Sequence, residues 1–195
     1  MIADIIALGI VLAAVITPAG AAEIVNAYTE VDTEKCRHIR GTEVEDYGSW
    51  RCKGYDRIAV RLSAGDQRMY VSVGPKAAGE PAAGQTFPAF NNMYKGTIEW
   101  RLERSASGTL RPFATIVRWN VKIDEGRVSH GRVLVVTRLG ADGVCHVGYV
   151  DALANSDANV LARRIADEKA RMFRCDKDKR VVLGKVSPNF SMPVD

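Results

Sequence analysis

The sequence predicts an α+β fold: a mainly antiparallel sheet of about six strands, one long C-terminal helix packed on it, and two disulfides. Segments in which apolar and polar residues alternate recur between residues 58 and 150, a pattern typical of half-buried strands. A single segment with a helical apolar stripe follows over residues 157–173. Because the strands come first and the helix last, we expect separate sheet and helix layers rather than alternating βαβ units.

The first 21 residues predict export. An apolar run over residues 5–16 is followed by Pro18 and then by Ala19-Gly20-Ala21, which supplies the small residues that a signal peptidase requires. The segment has no leading Lys or Arg, so a retained anchor is the alternative, but the run is shorter than the roughly 20 apolar residues of a membrane span. We predict a signal peptide over residues 1–21, a single domain over residues 22–195 and no stable membrane span after cleavage.

Composition narrows the class of partner. The chain has 195 residues, of which 47% are hydrophobic, and a formal net charge of +4. Its Lys and Arg residues are scattered, whereas a nucleic-acid protein concentrates them in a patch or stripe, so we expect no nucleic-acid partner. The mild positive charge favours anionic surfaces such as polysaccharide, lipid headgroups or acidic proteins.

Each strand is assigned from the apolar side chains that share one of its faces. A hairpin with its turn at residues 63–66 opens the sheet, and four strands follow over residues 97–103, 112–124, 131–139 and 144–150. The predicted inward residues are Ile58, Val60 and Leu62; Met69, Val71 and Val73; Ile98, Trp100 and Leu102; and Phe113, Val117, Trp119, Val121 and Ile123. Ile116, Leu134 and Val136 have the opposite parity, so we expect cover on both faces of the sheet or a strongly curled sheet.

A long segment separates the hairpin from the later strands. Residues 74–88, GPKAAGEPAAGQTFP, form a flexible loop rich in Pro, Gly and Ala in this prediction. Loops of that length inside a domain are commonly functional or disordered, so both a binding loop and a flexible excursion stay open.

The helix is predicted over residues 157–173, with Asn155 or Ser156 as its N-cap. About 17 helical residues rise roughly 25 Å, and a seven-residue strand spans roughly 23 Å. A helix antiparallel to the preceding strand therefore returns Cys175 to the strand start, where Cys145 lies.

The four cysteines predict two disulfides. An even number of cysteines in an exported protein favours disulfides, and no pair has the C-x-x-C spacing of a redox motif or zinc knuckle. Four cysteines allow three connectivities, and the helix geometry favours Cys145–Cys175, which leaves Cys36–Cys52.

Catalytic signatures are absent. The chain has no G-x-S-x-G, S-x-x-K, H-E-x-x-H, phosphate-loop or dinucleotide-loop motif, and we predict no cofactor and no metal site. His146 is adjacent to Cys145, but neighbouring side chains of a strand point to opposite faces, so the two cannot form a nucleophile–base pair. His146 is expected to face away from the helix as a structural histidine, with a weaker catalytic alternative.

Three arginines form the candidate binding site. On three consecutive strands, the alternation predicts outward-pointing side chains for Arg101, Arg118 and Arg138. These arginines could align as a basic ladder that binds carboxylates or phosphates. The alternative is a solvated sheet face in which Glu99 and Glu103 neutralise these arginines.

Three segments carry a resemblance that extends over most of the chain from Cys36 to Cys175: GSWRCKGYDRIAVRLSAGDQRMYVSVGP, TIEWRLE and VCHVGYVDALAN. They resemble exported proteins of alphaproteobacteria, a group with no established activity. The resemblance implies export and a bacterial source, and it assigns no functional residue.

The function expected from these features is a non-enzymatic, periplasmic or secreted domain that binds a protein or an anionic envelope component. One alternative is a hydrolase whose site is assembled around His146, Arg118 and Arg138. Another is a small-ligand carrier that uses the loop at residues 74–88.

Overall fold

A computed structural model describes residues 22–39, 47–122, 130–188 and 190, and the predicted signal peptide therefore lies outside the described residues. The strands in chain order are β1 (Ile24–Asp32), β2 (Arg37–His38), β3 (Gly48–Lys53), β4 (Ala59–Gly65), β5 (Arg68–Val73), β6 (Asn91–Asn92), β7 (Lys95–Arg104), β8 (Leu110–Lys122), β9 (His130–Gly140), β10 (Gly143–Asp151) and β11 (Val181–Val182).

The strands of the described ranges form two sheets, so the α+β class is confirmed but the single sheet of about six strands is wrong. The larger sheet has seven strands in the order β1-β7-β8-β9-β10-β11, with β6 paired to β8. The smaller sheet has four strands in the order β2-β3-β4-β5. The larger sheet is mixed because β11 runs parallel to β10.

Gly148 allows the parallel strand β11 to lie close to β10. A Cβ atom at this position would stand 2.6 Å from the carbonyl oxygen of Val181, too close for any side chain.

Strands β2, β6 and β11 contain two residues each, and strands of that length are too short for an alternation pattern to reveal them.

The C-terminal helix is shorter than predicted. Helix α1 (Ala158–Ile165) has eight α-helical residues, and a π-helical turn of five residues, Ala166–Ala170, continues it. Its N-cap is Asp157, because the side chain of Asn155 instead bonds the backbone nitrogen and oxygen of Lys185, at 2.9 and 2.7 Å. Beyond the π-helical turn, Phe173 is buried in the apolar cluster between the helix and the sheet.

Both faces of the larger sheet are covered, as the two-sided apolar pattern predicts. One apolar cluster fills the space between the two sheets, and its members include Val60, Leu62, Met69, Val71, Ile98, Trp100, Val117, Trp119 and Tyr149. A second cluster lies under the helix and includes Ala114, Ile116, Leu134, Val136, Cys145, Val147, Ala162 and Ile165. The predicted inward faces are therefore correct for most strands.

Two local predictions of the strand pattern are wrong. Phe113 belongs to the helix-side cluster, because Arg101 pairs with Ala114 and Leu102 with Pro112, which leaves Phe113 as the extra residue of a β-bulge. The first hairpin turns at Asp66 and Gln67 rather than at residues 63–66, and both turn residues have positive φ, as a two-residue hairpin turn requires.

The two predicted disulfides, Cys36–Cys52 and Cys145–Cys175, are both present, and all four cysteines are paired. Cys145–Cys175 ties the segment after the helix to the start of β10. Cys36–Cys52 ties the segment before β2 to the middle of the smaller sheet.

The segment over residues 74–88 is packed against the body of the protein. It contains two short 3-10 turns, and Ala77, Ala82 and Phe87 are buried. Glu80 accepts a hydrogen bond from the backbone N–H of Val144 at 2.9 Å, and Gln85 accepts one from that of His146 at 2.7 Å. These two side chains bond the first part of the β10 edge, and β11 pairs only with the later part at Gly148 and Tyr149.

Candidate functional site

His146 lies in the core between the two sheets. Its side chain is 1% exposed, its ring lies edge-on to Trp119, and its Nδ1 atom is 3.0 Å from the hydroxyl of Tyr149. Because Arg180 donates to that hydroxyl, the hydroxyl proton is available to Nδ1, which then accepts. Burial, aided by the charge of Arg180, lowers the pKa of His146 to about 3, so the ring is neutral at ordinary pH.

His146 does not share a site with Arg118 and Arg138, the other two residues of the hydrolase alternative. Arg138 is opposite Ala114 and Cys145, which belong to the cluster under the helix, and Arg118 is opposite Leu134 of the same cluster. His146 faces the other side of the sheet, toward Trp119. A reaction that needs His146 together with these arginines has no common site.

The exposed basic ladder predicted from Arg101, Arg118 and Arg138 does not form. Arg101 and Arg138 are 6% and 5% exposed, because the helix and the segment after it cover this face of the sheet. Arg101 and Arg138 are aligned through Ala114, whereas Arg118 lies four residues further along β8.

The two buried arginines are neutralised by carboxylates. Arg101 binds both carboxylate oxygens of Asp167 in the π-helical turn, at 2.9 and 2.5 Å. Arg138 binds both oxygens of Asp142, at 3.1 and 2.6 Å, and this hydrogen bonding lowers the pKa of Asp142. The predicted pairing with Glu99 is present as a longer contact from Arg101, at 3.8 Å.

Arg118 differs from the other two because it is exposed and its neighbour is neutral. Its Nη2 atom donates to Oδ1 of Asn159, in the first turn of α1, at 3.1 Å. Partial burial, together with the charge of Arg132, lowers the pKa of Arg118. Within the described ranges no carboxylate lies within ion-pair distance of Arg118.

A second set of arginines, which the sequence reasoning missed, forms a true row on the outer face of the smaller sheet. Arg37 of β2 is directly opposite Arg51 of β3, and Arg51 is directly opposite Arg61 of β4. Arg37 and Arg51 are exposed and Arg61 is half-buried. Directly opposite side chains have Cβ atoms about 5 Å apart, so this arginine row brings three like charges together.

The surroundings of the arginine row do not neutralise it. Arg61 donates to the hydroxyl of Ser49 at 2.9 Å, and no described carboxylate forms an ion pair with any of the three arginines. At the β2 end, a cleft of ≈ 500 Å³ is lined by five cationic side chains and two carboxylates: Lys35, Arg37, Arg51, Lys53, Lys95, Glu30 and Asp32.

A wider cleft opens on the same face beside Arg61. It measures ≈ 680 Å³ and is lined by polar or aromatic side chains of Tyr47, Ser49, Ser63, Asp66 and Tyr70, with Ala83 of the 74–88 segment also in the lining. The carboxylate of Asp66 is paired with Arg68. Ser49, Ser63 and Tyr70 are directly opposite one another, two residues along each strand from the arginine row. Because side chains two residues apart share a face, the hydroxyl row and the arginine row form one surface.

One sequence signal pointed to this surface. Arg51 alternates with the inward-facing Trp50 and Cys52, and Arg61 alternates with the inward-facing Val60 and Leu62, so both arginines had the outward parity. Their alignment depends on the pairing register of β3 and β4, which alternation alone does not specify.

No group of three or more His, Cys, Asp or Glu side chains is placed to hold a metal ion within the described ranges. No helix in the same ranges has the length and apolar character needed to cross a membrane.

Comparisons with protein-family models, with curated proteins and with solved structures found no match to this chain.

Proposed function

We propose that the protein is an exported, non-enzymatic domain that binds an anionic component of the bacterial envelope through the arginine row of Arg37, Arg51 and Arg61. The observation that carries the proposal is the direct cross-strand alignment of these three cations without an ion-paired carboxylate among the described residues. Like charges that are directly opposite each other destabilise a sheet. A bound polyanion would offset that repulsion.

The chemistry of the surface favours an acidic polysaccharide over other polyanions. Guanidinium groups bind carboxylates through paired hydrogen bonds, which suits acidic sugars. The adjoining cleft offers hydroxyl groups and the rings of Tyr47 and Tyr70, which suit the hydroxyl groups and apolar faces of sugar rings. A long acidic chain could place its charges on the arginine row and its neighbouring sugar rings in the cleft.

The cysteines support the proposed export. Both disulfides persist most readily in an oxidising environment such as the periplasm or the extracellular space. The predicted signal peptide over residues 1–21 supports the same location.

Charge reversal on the arginine row tests the proposal. We expect the exported protein to bind polygalacturonate in calorimetry and to bind dextran, a neutral polymer, far more weakly. The Arg51→Glu/Arg61→Glu variant should lose more than about tenfold in affinity, since hydrogen bonds to charged groups are lost. The Lys169→Glu/Lys177→Glu variant changes the net charge equally at exposed positions on the helix side and should stay within about twofold.

Salt and lipid controls separate the alternatives. Affinity for polygalacturonate should fall as salt rises, because exposed charges are screened. Equal losses in both double variants would refute the arginine row as the site. Binding to vesicles that contain phosphatidylglycerol, with no binding to polygalacturonate, would refute the polysaccharide as the ligand.

A further inference from the structure

A separate cleft lies on the opposite face of the larger sheet, beside the first turn of helix α1. It measures ≈ 430 Å³, and its polar lining includes Lys95, Glu99, Arg118, Asn120, Asn159 and Arg163. Small-molecule sites are typically clefts of about 300–1,000 Å³, so this volume suits a ligand of metabolite size. The cleft is distinct from the arginine row because the row lies on the smaller sheet, although Lys95 lines both this cleft and the one at the β2 end of the row.

Two of the three cations at this cleft already have carboxylate partners. Arg163 binds both oxygens of Glu99, at 2.6 and 3.3 Å, and this pairing raises the pKa of Arg163. Lys95 lies 3.5 Å from a carboxylate oxygen of Asp32. These two side chains therefore contribute little uncompensated charge.

Arg118 is the cation whose charge is uncompensated. Its hydrogen-bond partner is the neutral amide oxygen of Asn159, and Arg132, a second cation, lies close enough to disfavour its charge. Part of the guanidinium is also removed from water, which costs free energy unless a counter-charge is present. The environment of Arg118 therefore favours the arrival of an anion.

The guanidinium is also held in place. The hydrogen bond from Nη2 to Asn159 fixes one corner of the planar group and leaves its other N–H donors available. The side-chain nitrogen of Asn120, on the same face of β8, donates to Asn92 at 3.2 Å and carries a second hydrogen that can reach a ligand. A guanidinium that is already fixed by a hydrogen bond loses less side-chain entropy on binding a ligand than a mobile guanidinium does.

We propose that this cleft binds a single small oxyanion group, a carboxylate or a phosphate, on a ligand of metabolite size, with Arg118 as the principal contact. One uncompensated cation in a concave site suits one anionic group, whereas the three aligned cations of the arginine row suit a polymer. The site is independent of the polysaccharide surface, so failure of one proposal leaves the other intact.

Titration by NMR tests the site. The exported protein is titrated separately with acetate, inorganic phosphate and uncharged acetamide while backbone amide shifts are followed. We expect saturable shifts around Asn120 and Asn159 with at least one oxyanion and none with acetamide. The oxyanion that binds more tightly identifies the anionic group of the ligand.

Two variants and a control assign the binding to Arg118. Arg118→Gln keeps a donor for Asn159 but removes the charge, and it should weaken binding by at least about tenfold. Asn159→Ala keeps the charge but removes the acceptor that holds the guanidinium, and it should weaken binding by a smaller factor. Arg164→Gln, on the same helix and paired with Glu168, should leave the affinity within about twofold of the unmodified protein.

Three results would overturn the proposal: no saturable shift near the cleft with either oxyanion, equal binding of acetamide, or unchanged affinity in Arg118→Gln. The spectra guard against a loss caused by misfolding, because Arg118, Asn159 and Arg164 are all exposed and all three variants should give the dispersed spectrum of the unmodified protein.

Discussion

At the scale of single residues, His146 illustrates a titratable group that the fold keeps neutral. Its ring is surrounded by Trp119 and Tyr149, with the cation of Arg180 bonded to the same tyrosine hydroxyl. These surroundings suit a structural role, because a substrate has no access to a ring that is 1% exposed. Burial also raises the pKa of Tyr149 to about 12, so this pair holds no charge at neutral pH.

The buried His146 predicts a loss of stability in acid. Its pKa is about 3 in the folded protein and about 6.5 in an unfolded chain, so between these values the unfolded state binds the additional proton. The stabilising effect is complete above pH ~6.5 and is lost as the pH falls toward 3, with a slope of up to about 1.4 kcal/mol per pH unit.

Urea denaturation across this pH range measures the effect. The free energy of unfolding of the unmodified protein should fall more steeply with decreasing pH than that of His146→Gln, whose side chain does not titrate. Parallel curves for the two proteins would contradict the neutral, buried histidine. The comparison depends on slopes, so the lower overall stability expected of the variant does not affect it.

At the scale of elements, ion pairs connect the helix to the larger sheet. Opposite charges four residues apart can pair along a helix, as Arg163 with Asp167 would, but Arg163 instead binds Glu99 and Asp167 instead binds Arg101. Arg164–Glu168 does form on the exposed side. The helix thus uses its inward charges for contacts with the sheet and leaves only the outer pair within the helix.

Neighbouring carboxylates of the helix should therefore differ in their contribution to stability. Asp167→Ala leaves the buried guanidinium of Arg101 with only the long contact to Glu99, and it should lower the free energy of unfolding by about 2 kcal/mol or more. Glu168→Ala removes an exposed pair and should cost less than about 0.5 kcal/mol. Urea denaturation of both variants at neutral pH measures the difference, and equal costs would contradict the buried role of Arg101.

At the scale of the whole molecule, the two disulfides join parts that are distant along the chain. Their cysteines are 30 residues apart in Cys145–Cys175 and 16 apart in Cys36–Cys52. The chain-entropy relation assigns these loops about 3.6 and about 3.1 kcal/mol. Cys145 and Cys52 are 0% and 5% exposed, so replacement of either by serine adds the cost of burying a hydroxyl, and that cost is larger for the fully buried Cys145.

We therefore expect the Cys145→Ser/Cys175→Ser variant to be less stable than the Cys36→Ser/Cys52→Ser variant, with a loss of at least about 3 kcal/mol. Thermal and urea denaturation under non-reducing conditions measure both. Stability of the first variant equal to that of the unmodified protein would show that the helix does not need this covalent link.

Much of this architecture could be predicted because it depends on local periodicity. The inward faces of the long strands, both disulfides and the orientation of His146 away from the helix all follow from alternation and element length. The burial of Arg101 and Arg138 could not be predicted, because alternation does not tell which part of a sheet face a helix covers. The arginine row escaped prediction for a related reason, since it requires the register of three paired strands.

The packing of residues 74–88 on β10 has a consequence for behaviour at high concentration. An open strand edge with unpaired N–H groups is a template for pairing with another chain and thereby for aggregation. The side chains of Glu80 and Gln85 accept hydrogen bonds from the backbone N–H groups of Val144 and His146. Glu80 also places a negative charge at this edge. A segment rich in Pro, Gly and Ala thus protects β10 from edge-to-edge assembly.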